Sequence, residues 1–439
     1  MLSSLVGLGC SGSQGANDAA TDSAAADTAT PLDTTPADTA PRDTAAPPDT
    51  RPDAADAAAD SATGDGAAAD AGAGCMLTRA LVTTSDFMVG GYALGTISPP
   101  ALMAVGTMAP DQDHVPVSSG CLVFNLLHGN DELAVLDPAM LPRALRRIPL
   151  RGMTAGDAGA MPYQANPYDV LVLAPTRAYV SLYNAPRVAI VDPTRDGASA
   201  VTGMIDLAPV RAMSDRDASG ALEATRLISA GGRVFLALQN LNAFAPVTAG
   251  SLAVIDPASN ALVDAAPTVG GTQPVILGGR NPMALTLTPN GRTLVVAHAG
   301  QVAFMAPQML DGGIETVDAV TLSASGIVIT EMALGGDLGA VVMLTDTRGW
   351  AQVTTLTSDA GPGSHRVVEF DLATRMVGRT VLTTGSIAGL ERDPSGNVWV
   401  LDRTASRSGV RVLRPDGTEL TTGPLGTGPQ PPYGLAFVP

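Results

Sequence analysis

Three oxygen-bearing side chains stand at alternate positions in the stretch DRDASG: Asp215, Asp217 and Ser219. A glycine follows them, and Glu223 stands at the ninth position. Alternate oxygen ligands with a turning glycine are typical of the first half of a calcium-binding loop. The twelfth position, where such a loop needs a bidentate glutamate, is Arg226. The stretch therefore predicts either a calcium site or a solvated acidic loop.

Four histidines, His114, His128, His298 and His365, are the other candidates for chemistry. Histidine is the usual proton shuttle near neutral pH and a common metal ligand. The strand pattern described below places all four near one end of the fold. They predict either a metal-binding or acid–base cluster or separate, solvated loop histidines. The motifs G-x-S-x-G, H-E-x-x-H and C-x-x-C do not occur in the sequence.

The charged residues exclude several classes of function. The formal net charge is −17, which argues against nucleic acid as a partner because phosphate binding needs clustered basic side chains. All 25 basic residues are arginine. The absence of lysine from the sequence excludes a P-loop, a Schiff-base enzyme and a lysine general base.

The N-terminal residues predict a membrane anchor and a tether. MLSSLVGLGC, residues 1–10, resembles a lipobox in which Cys10 is lipidated after signal cleavage; the alternative is a disordered start with a chance cysteine. Residues 11–74 consist almost entirely of Ala, Asp, Thr, Pro, Ser and Gly. Such a segment should stay extended and disordered. We therefore expect attachment to the membrane through Cys10 and a location in the cell envelope, on the outer membrane or the cell surface.

The rest of the chain, residues 75–439, reads as short apolar runs separated by Gly, Pro, Asp and Asn, which favours strands over helices. One run recurs seven times and ends in X-Pro or a close variant. The copies are ALGTISP ending at Pro99, LAVLDP at Pro138, VAIVDP at Pro193, LAVIDP at Pro257, VAFMAP at Pro307, VVEFDL at Leu372 and VRVLRP at Pro415. Irregular spacing between them indicates loops of different length around a constant unit.

Each copy has partner runs before and after it. The run directly upstream is, for example, AYVSLY from Ala178 or VVMLTD from Val341, and most of these follow a further run such as TRLISAG or GIVITEMALGG. A fourth run, such as RRIPL or GRTVL, follows the X-Pro. Four antiparallel strands repeated seven times predict an all-β, seven-bladed β-propeller. The first blade lacks an inner strand, and YGLAFVP, residues 433–439, should supply it and close the ring.

The recurring aspartates before proline have a structural interpretation. Asp accepts backbone N–H bonds in an Asx-turn, and Pro fixes φ at the next position. Asp137, Asp192, Asp256 and Asp371 are therefore interpreted as punctuation of the hairpin from the third strand to the fourth.

Two stretches, VAIVDPTRD after AYVSLYN and MALTLTPNGRTLVVAHAGQVAFM, are similar to the YVTN-type repeats of bacterial surface propellers. The resemblance covers residues 76–439. With the lipobox and acidic tether, the chain resembles lipoproteins of Gram-negative soil bacteria of the myxobacterial kind. The resemblance implies the fold and leaves function open, because such propellers include lactonases, quinoprotein dehydrogenases and non-catalytic binding domains.

Cys75 and Cys121 should fall at the same end of neighbouring blades. In an oxidising compartment this predicts a disulfide between them; the alternative is two buried thiols.

Several long loops are predicted on the face where propellers usually bind ligands. They start at Arg151, Ala208, Gln239 and Leu344. Loops longer than about 12 residues in a compact fold are usually functional or mobile. The 15 aromatic residues are scattered in the sequence and do not predict a stacking platform.

Two functions fit these features. The first is a non-catalytic binding or interaction scaffold, anchored by lipid, with an unknown protein or small-molecule ligand on the loop face. The alternative is a propeller hydrolase of lactonase type with a site in the central channel. An enzyme should show converging carboxylates or histidines near the channel.

Overall fold

A computed structural model describes residues 75–151, 165–211, 222–242, 245–302, 309–355 and 363–439. The predicted lipobox and tether, residues 1–74, and the predicted ligands Asp215, Asp217 and Ser219 lie outside these ranges.

The described strands form seven antiparallel sheets, each a meander that starts at an inner strand. Blade 1 contains β28 (Pro432–Val438), β1 (Arg79–Ser85), β2 (Gly90–Thr96) and β3 (Ala101–Val105); blade 2 contains β4 (His114–Ser119), β5 (Leu122–Leu127), β6 (Glu132–Leu136) and β7 (Ala144–Pro149). Blade 3 contains β8 (Pro167–Ala174), β9 (Arg177–Leu182), β10 (Arg187–Val191) and β11 (Val201–Asp206).

Blade 4 has a divided outer edge. It contains β12 (Ala224–Ala230), β13 (Arg233–Leu238), β14 (Ser251–Asp256), β15 (Ala261–Leu262) and β16 (Val275–Ile276), and both β15 and β16 pair with β14. Blade 5 contains β17 (Pro282–Leu287), β18 (Thr293–His298), β19 (Gly313–Asp318) and β20 (Ala324–Thr330).

Blade 6 contains β21 (Asp337–Met343), β22 (Arg348–Thr354), β23 (His365–Asp371) and β24 (Met376–Thr384), and blade 7 contains β25 (Ile387–Arg392), β26 (Val398–Asp402) and β27 (Gly409–Leu413). The outer edge of blade 7 is completed by bridges from Glu419 and Leu425 to β27. The described helices are short: α1 (Ala208–Arg211), α2 (Glu331–Leu334) and a 3-10 turn (Gly197–Ala200).

The seven inner strands follow one another around a closed ring. Each contacts the next, in the order β28, β4, β8, β12, β17, β21, β25 and back to β28. The C-terminal strand β28 pairs with β1, with Arg79 opposite Val438, which is the predicted closure. The fold is therefore a seven-bladed β-propeller, as the sequence predicts.

The hydrophobic core lies between the blades. Each apolar cluster joins neighbouring sheets. One combines Tyr179 of blade 3 with Val234 and Leu236 of blade 4, and another combines Trp350 of blade 6 with Leu390 of blade 7. Strands buried on both faces explain why these runs are apolar without strict alternation.

Two blades differ from the sequence prediction. The third strand of blade 5 is β19, and the predicted VAFMAP run falls largely on residues 303–308, outside the described ranges. GIVITEMALGG was expected to open blade 6, but it supplies β20, the outer strand of blade 5. VVMLTD was expected to be the second strand of blade 6; its first residues instead end the inner strand β21, and the second strand is β22. The predicted long loop from Leu344 contains this strand.

The reason for this error lies in the turn chemistry. The third strand of blade 5 ends in Asp318 followed by alanine, not proline. Asp318 Oδ1 still accepts the N–H groups of Val320 and Thr321, at 2.9 and 2.8 Å. The aspartate alone makes the turn, so a search for X-Pro misses this blade.

The other aspartates behave as interpreted. Asp137, Asp192, Asp256 and Asp371 each accept the N–H of the residue two positions on, at 2.8–3.0 Å. Hydrogen bonds from such backbone or hydroxyl donors hold the pKa of each carboxyl below its usual value.

No helix among the described residues combines the length and the apolar character needed to cross a lipid bilayer.

The two tryptophans give a matched test of buried hydrogen bonding. Both are fully buried in second strands of neighbouring blades. The Nε1 of Trp399 donates to Asp393 Oδ2 at 3.0 Å, whereas the Nε1 of Trp350 has no partner among the described residues. We expect Trp399→Phe to cost about 1.5–3 kcal/mol more than Trp350→Phe, because only the first removes a hydrogen bond to a charged acceptor. Denaturant unfolding of both variants checks this, and equal losses would contradict it.

Candidate functional site

The two ends of the ring differ in construction. Hairpins between first and second strands and between third and fourth strands lie at one end, which we call the turn face. Connections between second and third strands and between blades lie at the other end, which we call the mouth. The aspartate turns described above lie on the turn face.

Six of the seven inner strands are fastened where they begin at the mouth. In these blades the carbonyl of the residue preceding the inner strand accepts the N–H of the residue that follows the second strand or, in blade 1, ends it. The pairs are Pro431 with Ser85, Asp113 with His128, Asn166 with Tyr183, Glu223 with Gln239, Asn281 with Ala299, and Ser386 with Arg403. This repeated bond places the residues after the second strands on the rim of the mouth.

Six of the seven inner strands also shift register close to the mouth, and β4 pairs with β5 without a shift. The residues at these bulges are Tyr433, Tyr168, Thr225 with Arg226, Met283, Gly339 with Ala340, and Ala388 with Gly389. A bulge re-aims side chains and is frequent beside active sites. The large bulge residues belong to blades 1, 3, 4 and 5, and blades 6 and 7 have small ones.

Nine side chains form a continuous chain of contacts along the mouth, which we call the mouth cluster. They are Phe87, Asp113, His128, Tyr168, Tyr183, Arg226, Gln239, Arg403 and Tyr433.

The first part of the mouth cluster joins blades 7, 1 and 2. The guanidinium of Arg403 lies over the rings of Phe87 and Tyr433, at 5.4 and 5.8 Å from their centroids. Phe87 and Tyr433 meet edge to face at 5.3 Å. The hydroxyl of Tyr433 donates to Asp113 Oδ1 at 2.9 Å. Cation–π and edge-to-face contacts of this kind hold the seam between the last and first blades.

The second part joins blades 2, 3 and 4. The imidazole of His128 stacks on Tyr168, with centroids 6.2 Å apart and planes 9° from parallel. Tyr168 also stacks on Tyr183 at 5.5 Å, and the guanidinium of Arg226 lies 5.4 Å from the Tyr168 centroid. The hydroxyl of Tyr183 donates to Gln239 Oε1 at 3.0 Å. Three of the chain's six tyrosines therefore belong to one cluster.

Sequence reasoning missed this arrangement, because the aromatic residues are scattered along the chain and predict no platform. The missed signal is positional: Tyr168 and Tyr433 are each the second residue of an inner strand that begins with proline. Register alignment of the seven blades would have placed them at the same level.

Two acidic groups near the mouth, Asp111 and Asp169, are buried, and burial shifts the pKa of each. Burial raises the pKa of Asp169 to about 6, although the charge of Arg226 and the N–H groups of Leu227 and Val170 oppose the shift. Asp169 Oδ2 accepts the Leu227 N–H at 2.8 Å, so this carboxyl links the inner strands of blades 3 and 4. Burial also raises the pKa of Asp111.

Glu331, on the connection from blade 5 to blade 6, is a third buried carboxyl group with a raised pKa. Burial, with the nearby charges of Asp337 and Asp311, raises its pKa to about 8, against the opposing bonds from the N–H groups of Leu338 and Gly312. Perturbed carboxyl groups of this kind accompany functional sites and buried structural networks alike.

This shift predicts a pH dependence of stability. The folded state holds the Glu331 proton more tightly than the unfolded state, whose pKa is near 4.5. The contribution is therefore present at low pH and is lost as pH rises through about 8. Between pH 5.5 and 8 the loss is about 3 kcal/mol on the scale of about 1.4 kcal/mol per pH unit. Glu331→Gln should show a flatter profile in denaturant unfolding, and an unchanged slope would contradict the prediction.

The four histidines all lie at the mouth end of their strands, as the strand register predicts. They do not gather. His114 contacts Asn125 and the Thr84 carbonyl, His298 pairs with Glu315, and His365 contacts Thr354. Among the described residues no group of three or more His, Cys, Asp or Glu is placed to hold a metal ion.

Of the predicted calcium ligands, the structure describes Glu223 alone. Its backbone has a left-handed φ of 46°, and its Oε2 accepts the N–H of Leu241 at 2.9 Å. Arg226, at the twelfth position of the predicted loop, belongs to the mouth cluster. Cys10 lies outside the described residues.

Cys75 and Cys121 are joined by a disulfide, with Cα atoms 5.6 Å apart. Cys75 lies in the short segment that leads into β1, and Cys121 lies in the first hairpin of blade 2, so the bond lies on the turn face.

Comparisons with known proteins agree on the fold. No protein-family model matches the sequence, and the curated proteins contain no match. Among solved structures, the chain is similar to hydrazine synthase from Kuenenia stuttgartiensis, with a TM-score of 0.50 and 14% identity over 71% of this chain and 80% of that one. It is also similar to a candidate 6-phosphogluconolactonase from Bacteroides fragilis, with a TM-score of 0.52 and 12% identity over 82% of this chain and 98% of that one. At such low identity these likenesses show the propeller fold alone.

Proposed function

We propose that the protein is a lipid-anchored propeller of the cell envelope that binds a protein or small-molecule ligand at its mouth. The observation that carries the proposal is the difference between the two ends of the ring. The turn face repeats one structural device, the aspartate turn. The mouth combines aromatic, cationic and buried acidic side chains from five neighbouring blades, and such mixed clusters are typical of recognition surfaces.

The direction of the first strand supports display of the mouth away from an anchor. Cys75 lies on the turn face, and β1 runs from there towards the mouth. A tether that precedes Cys75 joins the propeller at the face opposite the mouth. The resemblance to YVTN-type surface propellers and the lipobox at Cys10 support a location at the outer membrane or cell surface.

The anchor is tested by detergent phase partition of the protein expressed in a Gram-negative host. We expect the wild-type protein to enter the detergent phase and Cys10→Ser to remain in the aqueous phase. Aqueous partition of both proteins would overturn the anchor and leave the mouth proposal standing.

Binding at the mouth is tested with a photo-crosslinking residue placed at Phe87, and with the same residue placed at Arg375 on the turn face as control. Both proteins are irradiated in intact envelopes, and adducts are identified by mass. Adducts at position 87 that are absent at position 375 support the proposal. Adducts at position 375 alone, or at neither position, would overturn it.

We also propose that the loop containing Asp215, Asp217, Ser219 and Glu223 takes calcium, since alternate oxygen ligands suit that ion. Thermal unfolding is measured in EDTA and in added calcium, for the wild type and for Asp215→Ala with Asp217→Ala. We expect calcium to raise the melting temperature of the wild type alone, because an ion that binds the folded state stabilises it. A melting temperature unchanged by calcium would remove the site.

A second candidate function, hydrolysis by a lactonase-type propeller, is favoured by one specific observation. A histidine and a carboxylate, His128 and Asp113, are paired at the mouth.

A further inference from the structure

The outer edge of blade 1 differs from the other outer edges of the ring. β3 pairs with β2 over its whole length, from Ala101 opposite Thr96 to Val105 opposite Tyr92, without a shift of register. The outer strands β7, β11, β20 and β24 each shift register against the strand they pair with. Blade 4 ends in two strands of two residues each, and blade 7 ends in isolated bridges. Bulges and short strands keep a sheet edge from pairing with another chain, and β3 alone among the described outer strands has neither.

The pairing of β2 shows which backbone groups of β3 are directed outward. The N–H of Ile97 donates to the Thr78 carbonyl at 3.1 Å, so this residue bonds towards β1. Neighbouring residues of a strand direct their N–H and C=O groups to opposite sides, so Thr96 and every second residue of β2 bond towards β3. Their partners in β3 are the odd-numbered residues, which leaves the groups of Leu102 and Ala104 directed outward. Within the described parts of the chain, these groups have no hydrogen-bond partner at the edge.

This edge is uncharged in an acidic protein. No charged residue occurs from Phe87 to Pro110, although the formal net charge of the chain is −17. Met103, in the centre of β3, is 76% exposed, and Met88 and Met108 of the same stretch are 80% and 72% exposed. Two copies of the chain can therefore meet along β3 without a contact between like charges, and methionine side chains adapt readily to such a contact.

Both faces of the sheet are apolar beside β3. On one face Leu102 packs, partly buried, against the same apolar cluster as Leu420 and Leu425. On the other face Val105 and Leu141 pack, partly buried, against the cluster between blades 1 and 2. A strand added at this edge therefore needs apolar side chains on both of its faces. The sequence of β3, ALMAV, itself meets this requirement.

We propose that β3 pairs antiparallel with β3 of a second copy of this chain, so that two blade 1 sheets join across a two-fold axis. In the second copy β3 is again the edge without a blocking feature, so the contact is self-complementary and closes as a dimer. The register that places each Met103 opposite the other makes Leu102 of one copy and Ala104 of the other a hydrogen-bonded pair. The symmetric pair follows from the two-fold axis. This surface is separate from the mouth, and the inference does not depend on the ligand proposed there.

Association is measured by analytical ultracentrifugation of the full chain carrying Cys10→Ser, which removes the proposed lipid anchor and is the parent for all variants. One pair of strands makes a small interface, so we expect a reversible dimer whose fraction rises from nanomolar to high micromolar concentration. The average mass of the parent should rise towards twice that of the monomer. Met103→Lys places a charge at the centre of the edge, and Ala104→Pro removes an outward N–H group, so both variants should remain monomeric.

Met376→Lys is the matched control, because it places the same charge on another exposed methionine of an outer strand, β24. It should dimerise as the parent does. Thermal melting of every variant distinguishes loss of the fold from loss of the contact.

Met103→Cys tests the register. Residues that face each other without exchanging hydrogen bonds in an antiparallel pair have Cα atoms about 4.5 Å apart, which a disulfide can span. Mild oxidation should therefore join two copies through position 103. Ala101→Cys is the control on the same strand, because position 101 faces position 105 of the other copy, and it should not join two copies.

A parent that stays monomeric throughout the concentration series would overturn the proposal and leave this edge to a strand of a different protein. A dimer that persists in folded Met103→Lys and Ala104→Pro variants would also overturn it, because another surface would then mediate the association. Disulfide-linked dimers formed as readily by Ala101→Cys as by Met103→Cys would refute the two-fold pairing at Met103.

Discussion

Replacing Glu315 with alanine is expected to destabilise the protein by at least about 3 kcal/mol, because it removes the carboxylate that accepts several buried hydrogen bonds. Glu315 lies in the third strand of blade 5 and has no exposed surface. Its Oε2 lies 3.0 Å from Nε2 of His298, which is also fully buried.

Hydrogen bonds from backbone N–H groups to the same carboxylate add to the stability that the Glu315–His298 contact contributes. The Glu315 carboxylate also accepts the N–H groups of Gly278, Gly279 and Gly326, at 2.9–3.3 Å. Burial alone would raise the pKa of Glu315, but the bonds from His298 and the glycine N–H groups outweigh it and hold the pKa below its usual value. Alanine would leave these donors buried without an acceptor, which costs about 1–3 kcal/mol for each unsatisfied group.

Glu369→Ala provides the matched control. Glu369 lies in the third strand of blade 6 and pairs with Arg348 at 3.0 Å, but that arginine side chain is 47% exposed. Exposed pairs of this kind contribute about 0–1 kcal/mol. Denaturant unfolding of both variants gives the comparison. A loss for Glu315→Ala no larger than that for Glu369→Ala would show that the buried network does not stabilise the fold.

The double substitution Cys75→Ser with Cys121→Ser is expected to cost about 4 kcal/mol. The disulfide closes a segment with a sequence separation of 46 residues, and the chain-entropy relation gives this magnitude for a loop of that length. The bond joins blade 2 to the segment that leads into β1, the strand that pairs with the C-terminal β28. It therefore stabilises the blade in which the ring is closed.

Contacts of Arg79 add to the same seam. Its Nε donates to the Pro439 carbonyl at 2.7 Å, and its guanidinium also donates to the Pro138 carbonyl of blade 2. Unfolding is measured with and without a reductant for the wild type, the double variant and Cys10→Ser. Reductant should lower the stability of the wild type and of Cys10→Ser and leave the double variant unchanged. Equal stability of the double variant and the oxidised wild type would refute the role of the disulfide.

Features that depend on neighbours in the chain could be predicted well. The aspartate turns at Asp137 and Asp256 arise from a carboxylate and an N–H group two residues apart, so the sequence contains all that is needed. The apolar runs between such turns predict strands, and the run from Tyr433 without a partner predicts closure of the ring. The same reasoning is wrong where its signal is too narrow: Asp318 makes the turn without proline, and the second strand of blade 6, from Arg348, falls in a stretch predicted as a loop.

Features that depend on the ring could not be predicted from the residues alone. The sequence by itself determined seven repeated sheets, their turns and their closure, because these follow from local hydrogen bonding and from strand periodicity. Only the tertiary structure decided that Phe87, His128, Tyr168 and Tyr433 meet at one mouth. Ring closure brings residues from opposite ends of the chain together there, and bulges in two inner strands re-aim the side chains of Tyr168 and Tyr433.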